Sequence, residues 1–100
     1  MAQAPEQYIL SQNYPNPFNP KTVINYQLPA PSGVEGTVVS AVRVAVYDIL
    51  GREVAVLVNE NKPAGAYQVI FDGSALPSGV YFYRIQAGGF EQTRKLVLLK

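Results

Sequence analysis

Three prolines fall within the eight residues "NYPNPFNP", positions 13–20. Each proline fixes its own φ, removes a backbone donor and pushes the residue before it toward extended conformations. No helix survives that spacing, and a central strand does not tolerate it. The rest of the chain is cut in the same way. Glycine and proline punctuation separates short runs rich in valine and tyrosine, with turn signals roughly every 8–15 residues. No segment keeps a helical period over three turns.

These runs predict strands near 7–11, 22–28, 38–48, 53–58, 66–72, 79–87 and 90–99. Ile24 and Tyr26 alternate with Asn25 and Gln27, and Tyr67, Val69 and Phe71 alternate with polar neighbours. In "VRVAVYD", Val42, Val44 and Val46 share one face. The expected inward set is Ile24, Tyr26, Val44, Val46, Tyr67, Val69, Phe71, Tyr81, Tyr83 and Ile85. Seven short strands of this kind argue an all-β, immunoglobulin-like antiparallel sandwich of two sheets.

The connections carry their own signals. Asp48 is placed to cap the turn of "YDILGREV", with Gly51 supplying a positive φ. Gly88-Gly89 marks a tight hairpin, and "KPAGAY" and "ALPSGVY" each open a strand with a proline followed by a glycine. Residues 29–41 read as the one long mobile loop. The proline segment itself is read as scaffold, with Tyr14 and Phe18 plugging the end of the sandwich and the asparagines making side-chain turns to the backbone. Its prolines are interleaved with turn formers rather than spaced as a polyproline helix.

One hundred residues correspond to a single domain, and the net charge of +1 gives no field that would draw nucleic acid or a membrane surface. With no histidine and no cysteine, the usual acid–base residue, the activated serine and the zinc ligands are missing. The carboxylates are scattered, and Asp48 and Asp72 precede glycine-containing turns, where capping is their ordinary task. The expectation is no catalytic residue, no metal and no cofactor. No apolar run is long enough to cross a membrane as a helix. "MAQAPEQ" lacks the basic head and apolar stretch of a signal peptide, and residues 1–7 read as a linker or the start of an excised piece. In "VYFYR", Tyr81 and Tyr83 share a face. Exposed, they would stack on sugars; as core, they would be ordinary sandwich tyrosines.

From Arg84 to Lys100 there are four basic residues and one acidic, Glu91. The ending "TRKLVLLK" is an apolar strand bracketed by cations. It reads either as an edge protected by charge or as a free strand offered to another protein.

The blocks "LSQNYPNPFNPKTVINYQLP", "VYDILGREVAVLVNENKPAGAY", "FDGSALPSGVYFYRIQAG" and "TRKLVLLK" together resemble the type A C-terminal sorting domain of bacterial type IX secretion cargo, from Tyr8 to Lys100. The family's G-R-E-V block falls on Gly51, Arg52, Glu53 and Val54, and its P-x-G-x-Y block on Pro77, Gly79 and Tyr81. The resemblance implies a non-catalytic address on a larger secreted protein, carried through periplasm and outer membrane to the surface or the medium. It implies an outer-membrane shuttle and sortase-like components as partners, and no nucleic acid. The isolated domain, residues 8–100, is expected to be a monomer. Its recognition residues would be Pro77, Gly79, Tyr81, Lys95, Leu96, Val97, Leu98, Leu99 and Lys100. An adhesion or carbohydrate-binding module on the same sandwich is the other reading.

Overall fold

A computed structural model describes residues 7–30 and 39–100. Its strands are β1 (Ile9–Leu10), β2 (Lys21–Leu28), β3 (Val39–Tyr47), β4 (Glu53–Pro63), β5 (Gly65–Asp72), β6 (Gly79–Ala87) and β7 (Phe90–Leu98). They form a three-stranded sheet in the order β1-β2-β5 and a four-stranded sheet in the order β4-β3-β6-β7, antiparallel throughout. The chain changes sheet after β2, β4 and β5, which gives the crossed connections of an immunoglobulin-like sandwich. The expected fold class is the observed one.

Alternation accounts for the core. Ile24, Tyr26 and Leu28 of β2 face Val42, Val44 and Val46 of β3, Tyr81, Tyr83 and Ile85 of β6, and Leu96 and Leu98 of β7. Phe71 closes the layer from β5. Tyr67 and Val69, expected inward, are only half-buried, because β5 is the edge strand of the smaller sheet.

Two strand lengths differ from expectation for identifiable reasons. β1 has two residues instead of five, since the chain beyond it is taken over by Tyr83. That tyrosine's hydroxyl donates to the Ser11 carbonyl at 2.6 Å and accepts from the Asn13 N–H at 2.9 Å. β4 extends five residues past Val58, pairing up to Val39 opposite Pro63. Asn59, Glu60, Asn61 and Lys62 are all polar, so no alternation marks them, and Pro63 is tolerated because β4 is an edge. Val39 to Ala41 open β3; residues 31–38 of the expected loop, and residues 1–6 of the expected linker, lie outside the described residues.

The proline segment does more than connect β1 to β2. It leaves their sheet and runs beside β7 of the other one. The Phe18 N–H donates to the Val97 carbonyl at 2.9 Å, and the Leu99 N–H to the Phe18 carbonyl at 3.0 Å. Asn16 Oδ1 accepts the Val97 N–H at 3.0 Å, and Gln12 Nε2 donates to the Lys95 carbonyl at 2.7 Å. Phe18 is buried against Phe71 with ring centroids 5.7 Å apart. Tyr14, expected as a second plug, is 79% exposed instead. The asparagines are likewise only partly local. Asn13 Nδ2 reaches the Pro15 carbonyl and Thr22 Oγ1, whereas Asn16 reaches across to β7.

Candidate functional site

The β3–β4 turn is built by one carboxylate. Asp48 Oδ1 accepts the N–H groups of Leu50 (2.9 Å) and Arg52 (3.0 Å), and Oδ2 accepts Arg52 Nε at 2.8 Å. Gly51 takes φ +82°, a conformation that other residues reach only with strain. Bonding to the Arg52 backbone, and then its side chain, holds the Asp48 carboxyl below the usual aspartate range. The turn is thus fixed entirely by polar groups. Ile49 and Leu50 sit at its tip, 71% and 73% exposed, and the fold makes no use of their side chains. A pair of adjacent exposed aliphatics leaves an apolar surface open at the tip.

Beside this turn, β6 starts through a five-residue device that the chain uses twice. The Tyr81 hydroxyl donates to the Pro77 carbonyl at 2.7 Å, and the Tyr67 hydroxyl to the Pro63 carbonyl at 2.6 Å. Between proline and tyrosine, Gly79 and Gly65 both adopt φ +155°. A Cβ at Gly79 would meet nothing within 4 Å, so backbone conformation, not space, demands glycine there. On β6 the arrangement is the tyrosine corner of immunoglobulin-like sandwiches. Tyr81 is 5% exposed and Tyr83 is buried, so the row of open rings that would stack on sugars does not exist.

Turn, corner and C-terminal strand meet at one end of the sandwich. Ile49, Leu50, Val54, Leu76, Pro77 and Val80 line an open groove of about 470 Å³. Leu98 pairs with Gly79, the Lys100 N–H donates to Ser78 Oγ at 2.9 Å, and Lys100 Nζ donates to the Ser74 carbonyl at 2.6 Å. Asp72 holds Ser74 in turn, accepting its N–H at 2.9 Å and its hydroxyl, and this lowers the Asp72 carboxyl below its usual range.

The nine residues expected to meet a partner therefore separate. Tyr81, Leu96 and Leu98 are buried, whereas Pro77, Lys95, Leu99 and Lys100 are exposed and Gly79 and Val97 are half-buried. Pro77 and Gly79 line the groove, and the Lys100 N–H is bonded to its lining residue Ser78; Lys95 is not part of the lining and lies opposite Phe82 on the outer face of the larger sheet. The free edge expected of the last strand is corrected by the proline segment. From the Lys95 carbonyl to the Leu99 N–H, four outward backbone groups are already bonded to residues 12–18. An added strand finds no partners there, because an edge already paired is no template. Sequence reasoning did not single out Ile49 and Leu50, although two aliphatics between a capping aspartate and a positive-φ glycine are visible in the sequence.

Among the described residues no three metal-ligating side chains converge. No curated protein matches the chain. A family model described as the secretion system C-terminal sorting domain matches residues 12–99. That span runs from the residue that bonds Lys95 to the one that bonds Phe18, taking in both Pro-x-Gly-x-Tyr devices and the groove. The chain belongs to the family of type IX secretion C-terminal sorting domains.

Proposed function

We propose that this domain directs an attached cargo protein to the type IX translocon at the outer membrane, and that the groove end is the part the machinery reads. Exposure of Ile49 and Leu50 is the observation that carries the reading. They lie in the block that resembles the family's G-R-E-V region, beside Pro77 and Gly79 of its P-x-G-x-Y block. Desolvating such a pair against a complementary apolar surface is the kind of contact that dominates binding. Lys100, bonded to the groove residue Ser78, adds a cation beside it, where charge governs encounter and specificity more than folding. Recognition takes place on the folded domain through side chains, since the backbone edge of 95–99 is occupied.

The test attaches residues 7–100 to an inert reporter that carries an inner-membrane export signal. Surface or medium localisation is expected in a type IX-competent host, with periplasmic retention in a translocon-deficient strain. Ile49→Ser with Leu50→Ser should produce retention in the competent strain while the melting transition stays close to that of the parent domain. Equal display in both strains overturns the function. Normal export of the double variant overturns the assignment to the groove end alone.

A further inference from the structure

The outer face of the four-stranded sheet carries a second cluster, in the rows that follow the one holding the groove residue Val80. Tyr47 on β3, Phe82 on β6 and Lys95 on β7 form one cross-strand row. Ala45, Arg84 and Thr93 form the next. The Arg84 guanidinium lies over the Tyr47 ring, 4.7 Å from its centroid, so this side chain runs diagonally from its own row into the neighbouring one. The Tyr47 hydroxyl accepts from Arg43 Nη1 at 3.3 Å, and Arg43 also pairs with Glu53. Glu53 is thereby committed. Among the described residues neither Arg84 nor Lys95 reaches a carboxylate. Arg84 Nε is, moreover, a buried donor without an acceptor, the one such side-chain atom among the described residues.

Such an arrangement is costly for folding alone. Two cations on adjacent rows repel, and a buried donor without a partner is destabilising. The repulsion is relieved by an external anion that meets the outward nitrogens of the guanidinium and the lysine ammonium. We infer that this face binds an acidic segment of a partner protein, with Arg84 and Lys95 flanking a glutamate or aspartate carboxylate above Phe82. A guanidinium is planar, and one held over an aromatic ring keeps a fork suited to the two parallel hydrogen bonds that a carboxylate accepts. Thr93, opposite Arg84, offers a further hydroxyl. Half-buried Phe82 gives the aliphatic carbons of the segment a surface to cover. The face of Tyr47 toward Arg84 is already occupied, which disfavours a stacked sugar. With a net charge of only +1, attraction to an acidic partner is local to this patch rather than a property of the whole chain.

The experiment titrates the isotopically labelled chain with a hexaglutamate peptide and follows amide resonances. Shifts confined to Phe82, Arg84, Thr93, Lys95 and Tyr47 are expected, and they should shrink as salt is raised. Arg84→Gln should weaken the peptide by about tenfold, the cost of losing a charge-assisted pair. Lys95→Gln supplies the second variant should the first disturb the sheet. Arg84→Lys should fall between parent and Gln, because it keeps the charge and loses the fork. Ile49→Ser with Leu50→Ser should leave the titration unchanged, which separates this site from the groove. The inference is overturned by shifts elsewhere on the sandwich, by equal binding of hexaglutamine, or by unaltered affinity in both charge-removing variants. A sulfated polysaccharide that shifts the same amides while hexaglutamate does not would overturn the choice of partner.

Discussion

Two connecting segments of this domain carry large apolar side chains, and the fold treats them in opposite ways. In the proline segment Phe18 is 2% exposed, seated between Phe71 and the end of β7, with its backbone bonded on both sides. In the β3–β4 turn Ile49 and Leu50 are 71% and 73% exposed, although Asp48 fixes the turn by accepting the Leu50 and Arg52 N–H groups. A loop hydrophobe that folding needs is buried by the chain that carries it. One that folding does not bury is left open to solvent and to any partner that docks there. The difference separates side chains that the fold buries from side chains that the proposed recognition would use.

The largest effect should come from the scaffold side. Phe18→Ala removes a buried ring and should cost about 3–5 kcal/mol, read as a lowered denaturation midpoint, with export lost only as far as the domain unfolds. The serine pair at Ile49 and Leu50 should change stability by about 0.5 kcal/mol or less, as exposed substitutions usually do. If both variants lost the same stability, the contrast between the two segments would vanish.

A smaller effect sharpens it. Tyr81→Phe should cost about 1 kcal/mol, since the bond to Pro77 is part-buried, and Tyr67→Phe less, because its bond to Pro63 is exposed. Denaturant titrations of the two variants, run side by side, measure the difference. Lys95→Glu with Lys100→Glu should leave the melting transition within a few degrees and reduce export of the reporter. The smallest effect is one of pH. Asp48 and Asp72 have folded pKa values below the unfolded ones, so their contribution is full above the ordinary aspartate value of about 4 and is lost as pH falls through the folded values. Stability measured from neutral pH downward should hold until that window and then decline. Asp48→Asn and Asp72→Asn should flatten the decline.

Most of the fold was legible because alternation and turn chemistry agreed with each other. Val42, Val44 and Val46 point inward as their spacing requires, and Asp48 and Gly51 make the turn that their positions require. Legibility failed where a contact joined distant parts of the chain. Nothing near Ser11 announces that Tyr83 will end β1, and nothing near Lys95 announces that Gln12, Asn16 and Phe18 will close its edge. The polar run after Val58 concealed the rest of β4 for a simpler reason: an edge strand exposed on both faces has no alternation to display. The groove was hidden in the same manner as the closed edge, since residues 48–54, 76–81 and 100 become neighbours only in the folded sandwich.

Tyr8 stacks on Phe90, 4.9 Å between ring centroids, and its hydroxyl lies against Gly88, so the described chain begins beside the β6–β7 hairpin. The groove lies at the other end of those same strands. Nine residues of β6 span about 30 Å at roughly 3.3 Å each. The start of the described chain and the groove therefore stand a full strand length apart, so a bulky group held near Tyr8 would leave the far end of the sandwich uncovered.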